Sequence, residues 1–369
     1  MKIVCISAAQ IPSDTANSIQ VMKVCQAFVQ LGHDITLLAP GNRDPIIDDH
    51  RLLEHYGLER LFPIQWLPLR NRHLFPWKAV WRARRLRADL LYTWPLQSGV
   101  LGLLIGRPTM LELHDFPSGR FGPFWLRLFL IFPGRKRFLP ITEALRKALR
   151  LPVEQTVIAP DGVDLERYKS LPGGESARRI LGLPAGPTVL CTGHLYAGRG
   201  ADLFLGLAEK FPRISFVWVG GRPADVETWK GRAGRLANVI FTGFVPNERI
   251  PLYQSAADVL LMPYERKVAT SSGGNTAGIC SPMKMFEYMA AGRAILSSDL
   301  PVLHEVLDGT TAVFCPLEDA KAWESALAGL LAEQPQRQSL GLRARAAVEQ
   351  YSWVKRAQRV LEGFDEISA

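Results

Sequence analysis

The stretch SSGGNTAGICSPMKMFEYMAAGRAILSSDLP, Ser271–Pro301, reads as a loop, a helix and a strand in immediate succession. Ser271, Ser272, Gly273, Gly274, Asn275 and Gly278 form a glycine-rich loop whose backbone is free to turn peptide N–H groups toward a ligand. Ser281 suits an N-cap, and Pro282 suits the first helical position, where a missing N–H costs nothing. Met283 to Ala291 continue the helix, Gly292 stops it, and Ala294 to Ser298 begin an apolar strand. A spacing of three puts Ser281, Lys284 and Glu287 on one face near the helix N-terminus. Free N–H groups, the positive dipole end and a lysine then converge, with a carboxylate one turn deeper. Diphosphate would suit the N-terminus and Lys284, and a ribose diol would suit Glu287. The same spacing also describes a solvated Lys–Glu pair on an ordinary helix.

Outward from this stretch the chain alternates apolar runs of strand length with helical stretches. Thr188 to Thr192, Ile214 to Gly221, Val239 to Phe244, Ala257 to Pro263 and Ala312 to Cys315 are strand candidates, and the Ala-rich chain from Asp319 reads as helices. The turn after Thr188 to Thr192 is GHLYAGRG, Gly193–Gly200. There His194 and Arg199 form a second possible phosphate grip, since an arginine can bond phosphate oxygens through two N–H groups. Arg199 could equally be a surface charge. Lys169 to Pro187 is polar and rich in Gly and Pro, which suggests a linker.

The chain's first half opens on Lys2 to Ala8, a strand. A helix from about Ser18 to Leu31 follows, with Val21, Val24, Cys25 and Phe28 as its stripe and Gly32 as its stop. Asp34 to Ala39 completes a βαβ unit, the building block of a parallel sheet. Ligands sit at the carboxyl ends of such strands, which makes Pro12 to Asn17 a wall of a site. The opening lacks G-x-G-x-x-G, against a dinucleotide-binding half. Ala88 to Trp94 and Pro108 to His114 are further buried strands, the second delivering His114 and Asp115 to a carboxyl end. Arg137 to Thr142 and Gln155 to Pro160 are expected to complete the sheet. The fold class is α/β with two parallel-sheet domains.

At 369 residues and 47% hydrophobic composition the chain can bury two cores. No apolar run approaches the ~20 residues of a spanning helix, and Met1 leads straight into a strand, so the expectation is a cytoplasmic protein. Cys5, Cys25, Cys191, Cys280 and Cys315 lack metal or redox spacing and read as reduced residues, with Cys280 a possible thiol beside the loop. The net charge of +9 is confined to residues 1–160, which hold 21 Lys and Arg against 12 Asp and Glu. In Arg70 to Arg87, Phe75, Trp77 and Trp81 stand among seven basic residues, and Phe121 to Phe132 is followed by Arg135, Lys136 and Arg137. Both stretches, Arg70 to Arg87 and Phe121 to Arg137, suit an anionic membrane surface. No nucleic-acid reading motif accompanies the charge, so no nucleic-acid partner is expected.

The run SPMKMFEYMAAGRAILSSDLPVLHEVL resembles the donor-binding segment of family 4 glycosyltransferases, enzymes of the GT-B fold that use nucleotide-activated sugars. Glu287 matches the second glutamate of their E-x(7)-E motif, while Ile279 stands at the first. S-P-x-K-x-x-E resembles a variant in which Ser281, Pro282 and Lys284 take part. GHLYAGRG is similar to G-R-L-x-x-x-K-G, with His194 for the arginine and Arg199 for the lysine. LELHDF resembles the strand whose histidine lies near donor sugar and acceptor, here His114. Asn17 and Ser18 take the place often held by paired glycines. FTGFVP and ADVLLMPY also resemble the family, placing Gly243 and Phe244 near the nucleotide base, and IAPDGVD looks like its exit motif.

The resemblance implies two Rossmann-like domains facing a cleft, 1–168 and 188–350, joined by 169–187, with 351–369 a helix crossing back to the first. It implies transfer from a UDP- or GDP-linked sugar to a hydroxyl acceptor, lipid-linked or on a surface glycan, with retention. Catalytic roles fall to His114, Arg199 and Lys284. Donor binding falls to Asn17, Ser18, Gly193, His194, Arg199, Gly243, Phe244, Ser281, Pro282, Lys284 and Glu287. No D-x-D pair occurs, so no metal or other cofactor is expected, and a place on the inner face of a membrane would follow from the basic stretches. A nucleotide-sugar epimerase and a non-catalytic sugar-nucleotide-binding protein are the alternatives.

Overall fold

The computed structural model describes residues 1–42, 48–68, 72–268 and 275–364. It divides into two units, Met1–Asp161 with the chain from Trp353, and Gly162–Ser352.

The first unit runs β1 (Lys2–Ile6), α1 (Ala16–Gln30), β2 (Asp34–Pro40), α2 (Asp49–Tyr56), β3 (Ile64–Leu67), α3 (Phe75–Arg85), β4 (Leu90–Thr93), α4 (Leu96–Leu104), β5 (Thr109–Leu113), α5 (Gly122–Ile131), β6 (Lys136–Pro140) and α6 (Glu143–Ala148). Its sheet is parallel, in the order β3-β2-β1-β4-β5-β6. The order reverses between β1 and β4. Right-handed crossovers then put α1 and α2 on one face and α3, α4 and α5 on the other, with α4 packed between α3 and α5. Helix α1 starts earlier than Ser18 because Thr15 caps it, its side chain accepting from the Ser18 N–H at 3.4 Å. Asn17 and Ser18 therefore lie in the first helical turn. Gln155 to Pro160 follows β6 through bonds from Val157 N–H to Phe138 O and from Ala159 N–H to Pro140 O, with one bridge at Thr156. This is an irregular edge, not the expected strand; β3, a half-buried edge strand of four residues, takes the sixth place instead.

The second unit contains α7 (Gly174–Leu181), β7 (Thr188–Thr192), α8 (Ala201–Lys210), β8 (Ser215–Val219), α9 (Pro223–Ala233), β9 (Val239–Phe241), α10 (Ile250–Ala256), β10 (Val259–Met262), α11 (Met283–Ala291), β11 (Ala294–Ser298), β12 (Val313–Cys315), α12 (Ala320–Ala332) and α13 (Gln334–Ala347). Its parallel order is β12-β11-β10-β7-β8-β9, with the reversal between β7 and β10. Phe204, Phe216, Trp218 and Trp323 anchor its core. The expected linker Lys169 to Pro187 is corrected here: it holds helix α7, which packs on α10 within this unit. Ala177 is fully buried, and Arg178 Nη1 donates to Ala256 O at 2.7 Å. Flanking glycines and prolines made the segment look like a connection, while its core ESARRIL carries a helical apolar position.

The last helix, α14 (Trp353–Leu361), belongs to the first unit and packs on α1. Its buried residues Trp353, Arg356, Ala357, Val360 and Leu361 follow a helical stripe with an arginine inside it.

Candidate functional site

In the second unit the loops after β7, β8 and β10 and the start of α11 meet at the carboxyl ends of the strands, beside the reversal of strand order. Open parallel sheets bind ligands at that crevice because the loops there diverge to opposite faces. The end of β7 leads to Gly193, where a Cβ would lie 3.5 Å from Lys284 Nζ. Lys284 reaches Cys191 Sγ at 3.8 Å and stands 5.2 Å from the centre of the Tyr264 ring. Arg199 approaches the same ring, its Nη1 donating to Tyr264 Oη at 3.3 Å. Tyr264, 2% exposed, thus joins the two cations that the sequence singled out, and it was itself not singled out. Its place is fixed by the chain after β10, which tertiary packing brings beside β7.

The glycines of this turn are demanded by contact. A Cβ on Gly200 would sit 1.8 Å from Pro263 O, and one on Gly198 1.8 Å from Lys267 O. Both have φ near +80° (76° and 83°), which side chains rarely adopt. The loop from Gly193 to Gly200 is therefore clamped against the β10 loop, which holds Arg199 toward Tyr264.

Further along the same edge, Gly220 N–H donates to Gly243 O at 3.0 Å, and Gly220 lies against Gly193 O. Gly243 joins the cluster through this contact, and Phe244 after it is 42% exposed. The His194 ring stacks on Tyr196 at 4.9 Å, and Arg222 lies over Tyr196 at 5.3 Å. A layer of rings and a guanidinium flanks the loop.

Helix α11 spans Met283–Ala291 with Pro282 at the N-cap and Gly292 closing it. Ser281 is therefore one position outside the expected cap, buried, and Pro282 is not the first helical residue. With no N–H of its own to offer and an extended ψ of 125°, Pro282 fits the half-in cap position. Glu287 turns to α10, accepting from Gln254 Nε2 at 3.1 Å, and Gln254 in turn accepts from Tyr168 Oη at 2.7 Å. Lys284 and Glu287 thus have separate surroundings on one helix face. Ile279, where a glutamate was compared, is 5% exposed and packed. Ser271, Ser272, Gly273 and Gly274 of the glycine-rich loop lie outside the described residues. Burial pushes the Cys280 thiol up to about 11, so it is not a thiolate at neutral pH.

In the first unit His114 follows β5, its side chain 30% exposed, with Nε2 2.7 Å from Glu112 Oε1. Glu112 is buried and also accepts from Arg356 Nη2 at 2.7 Å, from Tyr92 Oη and from Gln20 Nε2. Burial alone would raise its carboxyl, but Arg356 with His114 and Tyr92 outweighs this and holds it at about 2. For His114, burial lowers the affinity for a proton, while Glu112 and then Asp161 raise it more, against opposition from Arg356. The imidazole's pKa is raised above its ordinary value. Glu112 and Arg356 escaped sequence reasoning; a charge inside an apolar stripe was the available signal. Asn17 is exposed, whereas the Ser18 hydroxyl is buried and donates to Ser13 O at 2.5 Å and Thr15 O at 3.0 Å. Ser18 braces the loop after β1.

The Glycosyltransferase Family 4 model matches residues 18–167, and the Glycosyl transferases group 1 model matches residues 186–333. The GDP-mannose-dependent alpha-(1-6)-phosphatidylinositol monomannoside mannosyltransferase of Mycolicibacterium smegmatis is 29% identical over 213 residues, 55% of this chain and 54% of that protein. A D-inositol 3-phosphate glycosyltransferase of Nocardia farcinica is 28% identical over 223 residues, 56% of this chain and 46% of that one. The chain spans about half the length of these relatives. The crystal structure of Anabaena HepE in complex with UDP-glucose superposes with a TM-score of 0.76 at 17% identity, covering 100% of both chains, a likeness of fold.

Proposed function

The chain belongs to glycosyltransferase family 4, and on that premise we propose that it moves a sugar from a nucleotide diphosphate sugar to a hydroxyl acceptor. Its two parallel-sheet units are those of the GT-B architecture. The observation that carries the proposal is the meeting of Arg199, Lys284 and Tyr264 with Gly193 and the N-terminal end of α11 at the strand-order reversal. Two cations and a helix N-terminus there suit a diphosphate, and a diphosphate is the group whose charge grows as the glycosidic bond breaks. Gly243 and Phe244 would face the base, and Glu287 the ribose. His114 would contact the transferred sugar.

Retention is proposed with it. The bond from the anomeric carbon to the diphosphate oxygen breaks, the acceptor oxygen bonds to the same face, and its proton passes to the leaving diphosphate. Arg199 and Lys284 would balance the diphosphate charge, so transfer should survive EDTA. The donor is expected to carry UDP or GDP. No helix of the described residues is long and apolar enough to cross a membrane. A lipid-linked acceptor at the inner membrane face is proposed from the exposed residues of Arg70 to Arg87 and Phe121 to Arg137. In α3 Trp77 and Trp81 are each 55% exposed, and Phe121 before α5 and Ile131 in it are 63% and 68% exposed; Arg84, Arg85 and Arg127 of the same helices are exposed as well. Arg70, at the start of the basic stretch, lies outside the described residues.

The test is thermal stabilisation of wild type and Lys284→Ala by UDP, GDP, ADP, dTDP and their sugar conjugates, with and without EDTA. A ligand at a hundred times its Kd adds about 2.7 kcal/mol to stability. One nucleotide series should stabilise the wild type in EDTA and act at least tenfold more weakly on the variant. No stabilisation by any would remove the donor-site reading, and an inverted anomer in the product would remove retention.

A further inference from the structure

We propose that Glu112 is a positioning residue for His114, and that Arg356 of the C-terminal helix α14 holds Glu112 in place. The proposal rests on the reading of His114 as a group that meets the sugar. Its basis is a chain of short contacts through buried groups. Arg356 Nη2 and His114 Nε2 both lie 2.7 Å from the same oxygen, Glu112 Oε1. Arg356 is itself fixed from two more directions, Nε donating to Pro160 O at 2.8 Å and Nη2 to Ala159 O at 3.1 Å. Tyr92 donates to the other carboxylate oxygen, and Gln20 Nε2 to Oε1. Trp94 Nε1 steadies the Gln20 amide oxygen at 3.2 Å. The side chains of Glu112 and Arg356 are 0% and 2% exposed. Of these three, only the histidine reaches solvent, at 30%.

This arrangement decides what His114 presents. An ionised Glu112 accepts, so the histidine must carry its proton on Nε2. Nδ1 then faces the ligand, as an acceptor from a hydroxyl while the ring is neutral and as a donor once it is protonated. The groups around the ring are Glu112 of β5, Asp161 of the loop before the second unit, and Arg356 of α14, with Tyr92 of β4 one contact further. The two carboxylates favour the proton and Arg356 opposes it. Removing the Glu112 charge while leaving the fold intact therefore frees the tautomer and lowers the histidine's pKa.

The experiment uses the full chain with Glu112→Gln, and with Glu112→Gln together with Arg356→Gln, which leaves no lone buried charge. Long-range 1H–15N NMR of the histidine rings, assigned with His114→Ala, reads tautomer and titration. The wild type should show the Nε2–H form, and both variants a mixed tautomer and a lower midpoint. In transfer assays with the nucleotide sugar identified by thermal shift, kcat should fall at least tenfold, while the donor KM stays within twofold. The kcat loss should persist in the double variant even where its Tm equals that of wild type. In a His114→Ala background, Glu112→Gln should change kcat by less than twofold. An unchanged tautomer and midpoint, or kcat restored along with Tm, would overturn the proposal. If His114→Ala itself leaves kcat unchanged, the role of His114 fails, while the NMR result still judges what Glu112 does to the ring.

Discussion

The neutral pair Glu112→Gln with Arg356→Met should change how the first unit responds to acid. Glu112 has its carboxyl lowered from 4.5 to about 2 in the fold. A depressed carboxylate contributes stability that is present above its unfolded pKa and is lost as pH falls through its folded one. A shift of that size is worth about 3 kcal/mol at neutral pH, and linkage removes about 2 kcal/mol of it between pH 5 and pH 3. Starting at pH 5 keeps the His114 proton in place over the whole interval in the wild type, so its excess loss is read as the carboxylate's. The absolute difference at pH 7 is not the signal, because a buried ion pair and its apolar replacement often come out nearly equal. The slope is the signal. With two units in the chain a single unfolding transition is not assured, so opening is best read locally, by hydrogen exchange of peptides from β5 and α14 corrected for intrinsic rates. The wild type should lose protection about thirtyfold more than the variant over those two pH units. Equal losses would refute the pairing as the source of the depressed carboxyl.

Two further outcomes follow from contacts in the fold. Gly200→Ala places a methyl 1.8 Å from Pro263 O at a φ of 76°. The left-handed conformation alone costs about 1–2 kcal/mol and the clash adds to it, so calorimetry should show the transition of the second unit lowered by at least about 3 °C, with nucleotide binding weakened in step. On the face proposed to meet a membrane, Arg85 lies over Trp81 at 3.4 Å, so charge and ring would enter the interface together. Each basic group near an anionic surface is worth about 1 kcal/mol, and Arg84→Glu with Arg85→Glu should cut flotation with anionic vesicles at least tenfold; unchanged flotation would remove the membrane proposal.

The strands that sequence placed to the residue are β7 and β11, where every position is buried and glycine or proline bounds the run nearby. A parallel strand covered on both faces carries an apolar word without polar alternation, here VLC and AIL, which is why such strands stand out. β3 has no such word: IQWL is half-buried along its length, on a sheet edge, and one polar residue in four leaves no period to detect. Gln155 to Pro160 erred the other way, an apolar run that lies beside β6 and never becomes a ladder. Helix α7 was hidden by the glycines and prolines at its ends.

The candidate site divides along the same line. Lys284 and Arg199 were legible because each is set by local spacing, one by the turns of a helix and the other by glycines around a tight turn. Tyr264 was not, since its role depends on the β10 loop meeting the β7 loop. Glu112 and Arg356 stand 244 residues apart, and neither has a motif. Yet each breaks a pattern that is otherwise plain: a carboxylate inside the apolar strand TMLEL, and a guanidinium at the i+3 position of the stripe Trp353, Ala357, Val360, Leu361. A charge on a face that must be buried requires an opposite charge, because leaving it alone would cost far more than the helix gains by packing. Two such charges of opposite sign imply each other, and with them that α14 packs against the sheet that carries His114. The anomaly in each pattern thus held the long-range contact that neither pattern could express.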